Sequence, residues 1–122
     1  MFTNKMYVDE TLEKKIPKIL RKIKRRQKCG HTYVIVFNKD FNRLEYTDAD
    51  IFAHKFYPKK EQLVLGIAEN SENAKSLIVA IYNDMIKISE DIDVKNFILS
   101  SLVSKKYKKR EYVIVDNIKD ED

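Results

Sequence analysis

The chain has 122 residues, 43% hydrophobic and 35% charged, with 24 Lys and Arg against 19 Asp and Glu for a net charge of +5. That length suits one domain, residues 1–122, burying about two thirds of its unfolded surface, and the composition excludes a disordered or fibrous chain. No apolar run approaches the roughly 20 residues of a membrane span, the start "MFTNKMYVDETLEKK" lacks a signal-peptide pattern, and the single Cys29 excludes an internal disulfide, so a soluble cytoplasmic protein is the expectation.

The first predicted helix runs from Leu12 to Lys28. Leu12, Ile16, Ile19, Leu20 and Ile23 recur at helical spacing and draw one apolar stripe. Asp9 or Thr11 caps its start, Pro17 requires either a beginning near Lys14 or a bend at Ile16, and Gly30 is placed to end it. "HTYVIVFN", His31 to Asn38, is a continuous β-branched and aromatic run that reads as a strand covered on both faces. The turn "KDFN" and the alternating "RLEYT", Arg43 to Thr47, complete a hairpin.

A short helix follows, Ala49 to Tyr57, capped by Asp48 or Asp50, with Ile51, Phe52 and Phe56 inward and Pro58 as its stop. "QLVLGIA", Gln62 to Ala68, is the third strand. Asn70 or Ser71 caps the most apolar helix, Glu72 to Ser89, whose wide stripe places it centrally against the sheet. Asp91 or Asp93 opens a last helix with Val94, Phe97, Ile98, Ser101 and Leu102 inward. "EYVIVDN" is a fourth strand, and 117–122 form an acidic tail expected to stay outside the ordered core. The tetrapeptide "YVIV" occurs at Tyr33 to Val36 and again at Tyr112 to Val115, which we read as convergence on a strand rather than duplication. The order α-β-β-α-β-α-α-β predicts an α+β two-layer sandwich, a mixed sheet of three to four strands with helices mainly on one face.

The charges are segregated. Lys14, Lys15, Lys18, Arg21, Lys22, Lys24, Arg25, Arg26 and Lys28 form a run with no acid, and Lys105, Lys106, Lys108, Lys109 and Arg110 form a second, so the rest of the chain carries −9. Such a layout suits a surface that neutralises phosphates on DNA or RNA. It also suits an acidic protein partner, or a homo-oligomer in which the acidic surface of one copy meets the basic helix of another. A membrane-lying helix is disfavoured, because the apolar stripe it would insert is needed for the core. Neutralisation within the chain, by the tail or by Glu90, Asp91 and Asp93, is the competing explanation.

Catalytic signals are weaker. Cys29, His31 and His54 are too few for a structural zinc site, and no metal or cofactor is expected. Glu45, Asp48 and Asp50, with Lys39, Lys55 or Lys60 nearby, could serve a metal-dependent nuclease, but helix capping explains the two aspartates with nothing added. Cys29 follows a helix C-terminus, where the dipole disfavours a thiolate. "GIAENSEN" runs from strand to helix like a phosphate cradle, yet Glu69 and Glu72 would repel an anion. No family motif is present. The sequence therefore predicts a small, non-catalytic intracellular binding protein with a basic helical face for nucleic acid, alternatively a protein-interaction module or charge-held homo-oligomer.

Overall fold

Alternation in "YVIV" at Tyr33 to Val36 divides the interior in two: Val34 and Val36 point to one side of the sheet, Tyr33 and Ile35 to the other. The computed structural model describes residues 2–55, 57, 62–89, 93–103 and 109–116. Its strands are β1 (Phe2–Asp9), β2 (Tyr33–Asn38), β3 (Arg43–Asp48), β4 (Val64–Ala68) and β5 (Glu111–Val115), in the order β3-β2-β4-β1-β5. β2 is antiparallel to both β3 and β4, while β1 is parallel to β4 and to β5, so the sheet is mixed and the class is α+β.

The helices are α1 (Ile16–Lys24), α2 (Ser71–Ser89) and α3 (Val94–Phe97). A 3-10 segment, Glu10–Lys15, precedes α1, another, Ala49–Ala53, follows β3, and a π turn, Ile98–Leu102, extends α3. The α1 stripe packs with Met6, Val8, Val34, Val36, Val64 and Phe52 on one face. On the other, Ala74, Leu77, Ile81 and Met85 of α2 pack with Val94, Phe97 and Leu102 against Tyr7, Ile35 and Leu65. Each buried Leu or Ile contributes about 2 kcal/mol. Among the described residues there are therefore three layers rather than two, and five strands rather than three to four. An apolar stripe commits a helix to packing without saying which face of the sheet receives it.

β1 is the strand missing from the sequence-based order. Its polar start hides it, because Thr3 is buried with its hydroxyl donating to the Lys5 carbonyl. Tyr7, fully buried, donates its hydroxyl to Asp84 Oδ2 on α2 at 2.6 Å. Beside it β4 carries a bulge: Ile35 pairs with Gly66 but Val36 with Val64, which leaves Leu65 as the extra residue. Leu65 and Gly66 consequently share a face, and Gly66 lies so close to β1 that a Cβ there would meet the Tyr7 carbonyl oxygen at 2.6 Å.

The hairpin forms as read, with the Asn38 side chain accepting from the Asp40 and Phe41 amides in its turn. Its outer edge is partly covered, since the Leu44 amide donates to the Tyr82 hydroxyl of α2 at 3.2 Å. The first helix departs from expectation at both ends. The residues before Ile16 are 3-10, with Asp9 capping through the Thr11 amide, and Pro17 sits harmlessly in the first turn of α1. The helix stops at Lys24, six residues before Gly30. Arg26 adopts φ 57° and closes the end through Arg26 N to Ile23 O at 3.0 Å and Gln27 N to Lys22 O at 2.8 Å, a Schellman turn with arginine where glycine is usual. The short helix expected over 49–57 is regular only as far as Ala53, and Phe56, Pro58 and the tail 117–122 lie outside the described residues.

Candidate nucleic-acid interface

The basic run is split by the structure into three pieces. Lys14 and Lys15 close the 3-10 segment, Lys18, Arg21, Lys22 and Lys24 lie on α1, and Arg25, Arg26 and Lys28 follow it in a loop. All are exposed except Lys22, which is half-buried. At 100° per residue, the buried Ile16, Ile19, Leu20 and Ile23 fix the inward side, and Lys18, Arg21 and Arg25 point the opposite way. With 1.5 Å of rise per residue, those three cations are spread over about 10 Å.

The loop that follows is pinned by Asp50. Its Oδ1 accepts the Cys29 amide at 2.6 Å and the Gly30 amide at 3.3 Å, while the Arg26 guanidinium lies 6.0 Å from the Tyr57 ring. Asp48 caps the 3-10 segment after β3 by accepting the Asp50 amide at 2.9 Å. Glu45 accepts from Asn38 Nδ2 at 3.1 Å and pairs with Arg43 at 2.9 Å, and these two bonds hold its carboxyl below the usual carboxylate range. The three acids considered for a nuclease thus each have a structural partner. Among the described residues no three His, Cys, Asp or Glu side chains gather as a metal site. Burial and the charge of Asp50 push the Cys29 thiol up, against Lys22, so it is a poor nucleophile at neutral pH.

Within the described residues, no ion pair engages Lys14, Lys15, Lys18, Arg21, Lys24, Arg25 or Lys28; the pairs Arg43–Glu45 and Lys75–Glu72 lie elsewhere. Asp93 does not answer these charges. Its carboxylate caps α3 and binds Asn42 Nδ2, with the helix it starts packed on the opposite face of the sheet from α1. Glu90, Asp91, Lys60, Lys105, Lys106 and Lys108 lie outside the described residues. Of the second run, Lys109 and Arg110 are described and exposed. Arg110 donates from Nε to the Thr3 carbonyl at 3.3 Å and lies 5.2 Å from the Phe2 ring, which belongs to the cluster under α1. Arg110 therefore lies on the same side of the sheet as α1, but it sits at the start of β1 and the α1 segment departs from its end.

One residue undervalued by its sequence is Asp9. β1 and β4 are parallel neighbours whose continuations leave to opposite faces, the position where α/β sheets commonly open a ligand crevice. Here Asp9, fully buried, occupies that position, accepting the Thr11 amide on Oδ1 and the Glu69 amide and Asn73 Nδ2 on Oδ2 at 3.0 and 2.7 Å. A helix cap was legible; its second role of tying β1 to the start of α2 was not.

Among the described residues no helix is long and apolar enough to cross a membrane. Compared with known protein families, curated proteins and solved structures, the chain matches none.

Proposed function

We propose that the protein acts by binding rather than catalysis, and that the outward row Lys18, Arg21 and Arg25, flanked by Lys14, Lys15, Lys24 and Lys28, contacts the phosphate backbone of DNA or RNA. The observation that carries this reading is a cationic row without carboxylate partners among the described residues, on a helix whose apolar side is already buried. Two of the three are arginines, whose planar guanidinium suits phosphate oxygens. The structural engagement of Asp48 and Asp50 favours binding over metal-dependent cleavage.

Retention of DNA and RNA measured against salt tests it. Each phosphate contact contributes about 0.9 to the slope of log affinity against log salt on duplex DNA, so a Lys18→Gln, Arg21→Gln, Arg25→Gln variant should flatten that slope by about 2.7. No retention at about 50 mM salt, or an unchanged slope, refutes the proposal. Mg²⁺-dependent cleavage that disappears in an Asp48→Asn, Asp50→Asn variant would establish the nuclease instead.

A further inference from the structure

The segment "REYVIVD", Arg110 to Asp116, sets Tyr112 to Val115 between Arg110 and Glu111 at one end and Asp116 at the other, and its strand stands at the edge of the sheet. β5 pairs with β1 through Lys5↔Glu111, Met6↔Tyr112, Tyr7↔Val113, Val8↔Ile114 and Asp9↔Val115. Among the described residues nothing pairs with its outer edge. Tyr112 is 40% exposed, and Val113, Ile114 and Val115 are only half-buried. An exposed, largely apolar edge of this kind is a template for another strand.

We propose that the occupant of this edge is a second copy of the chain, β5 against β5 and antiparallel, joining two five-stranded sheets across a two-fold axis. The proposal stands independently of the nucleic-acid reading. A two-fold axis perpendicular to the sheet preserves its faces, so residues paired across it must have the same facing in each copy. Tyr112 and Ile114 face the α1 side, Val113 and Val115 the α2 side. Three registers centre on the inner residues of the strand, Tyr112 to Ile114, and charge selects among them. With Val113 opposite itself, Tyr112 faces Ile114 of the other copy, Glu111 faces Val115 and Arg110 faces Asp116, twice over by symmetry. Centring on Tyr112 puts Arg110 opposite Ile114, and centring on Ile114 puts Asp116 opposite Tyr112; within Arg110–Asp116 neither pairs opposite charges. The chosen register sets aromatic against β-branched residues on one face and closes each end with opposite charges, both favourable cross-strand pairs. Arg110 spends its Nε on the Thr3 carbonyl and its face on the Phe2 ring of β1 while staying exposed, which leaves its Nη groups for Asp116 of the other copy. The same symmetry places both α1 helices on one side of the combined sheet.

Sedimentation and light scattering of the full chain at about 100 µM should report a dimer, in the range of small, weak interfaces. Asp116→Arg, which sets two arginines opposite each other without touching a contact of the monomer, should weaken it at least tenfold, and Arg110→Asp combined with Asp116→Arg should restore it. The register is read by Val113→Cys in a Cys29→Ser background. Paired residues of antiparallel strands are about 4.5–5.5 Å apart at Cα, within disulfide reach, so oxidised glutathione should link two copies through position 113 and not through Val115→Cys. A chain that stays monomeric, a dimer indifferent to both charge variants, or linkage at 115 instead of 113 overturns the proposal. So does a monomer whose β5 amides resist hydrogen exchange, because the chain would then cover its own edge.

Discussion

Replacing Gly66 by alanine should be among the costliest single-methyl changes in this chain. Where space exists, Gly→Ala stabilises by about 0.4–1 kcal/mol, because the unfolded chain has fewer conformations to lose. Gly66 has no left-handed backbone, so conformational strain does not enter and sterics alone decide the sign. The new methyl would stand 2.6 Å from the Tyr7 carbonyl oxygen, 3.2 Å from Leu77 Cδ2 and 3.3 Å from Ile35 Cγ1. The side-chain carbons can yield by a few tenths of an ångström. The carbonyl cannot, because it belongs to β1, which is held between β4 and β5. Moving β1 away weakens the β1 to β4 ladder at the bulge, at about 1 kcal/mol per bond, on top of the 1–3 kcal/mol of overpacking. We expect a net loss of about 3 kcal/mol, a fall in Tm of about 10–15 °C for a chain this size, by circular dichroism in thermal and urea unfolding. Gly30→Ala is the control: it has nothing within 4 Å and should show only the cost of its φ of 59°, about 1 kcal/mol. An unchanged or raised Tm for Gly66→Ala would mean that β1 and β4 do not approach as described.

Two further substitutions probe the interior and the end of α1. Burial, and then the adjacent Asp84 carboxylate, push the Tyr7 phenol well above its ordinary value near 10. The folded state thus keeps a proton the unfolded state releases, so stability is full below about pH 10 and falls above it by up to about 1.4 kcal/mol per pH unit. Tyr7→Phe should lower stability at neutral pH by about 1–2 kcal/mol and flatten that alkaline slope in urea titrations; an unaltered slope refutes the assignment. At the end of α1, Arg26→Gly should be about 1 kcal/mol more stable than Arg26→Ala, since both lose the contact with Tyr57 and only glycine relieves the left-handed strain; equal unfolding midpoints would refute the strain.

What the sequence made legible was local. The β2–β3 hairpin follows from a β-branched run, an Asn-led turn and an alternating partner, and α2 follows from a stripe longer than any strand could use. β1 failed that test because only Phe2 and Met6 to Val8 are apolar, and its place depends on one strand about sixty residues away and another more than a hundred away. The two copies of "YVIV" show the same limit. Tyr33 of the interior β2 faces α2, and Tyr112 of the edge strand faces α1, so identical letters present opposite sides. The candidate site was legible as charge but not as shape. A left-handed Arg26 ended the helix before Gly30, and Asp50, read as a cap, holds the loop that carries Arg26 and Lys28.

If two copies pair through β5 as proposed, the bond from the Leu44 amide to the Tyr82 hydroxyl limits how far assembly can grow. A sheet with two equally adhesive rims would accept a third copy as readily as a second and lengthen into a fibre. Here one rim has a main-chain donor already taken by a side chain from α2, with the charged Arg43 and Glu45 on either side of it. The proposed pairing through the other rim would use itself up in a single symmetric step, so Tyr82→Phe should turn a finite pair into a chain prone to run on, visible as turbidity and thioflavin binding at high concentration.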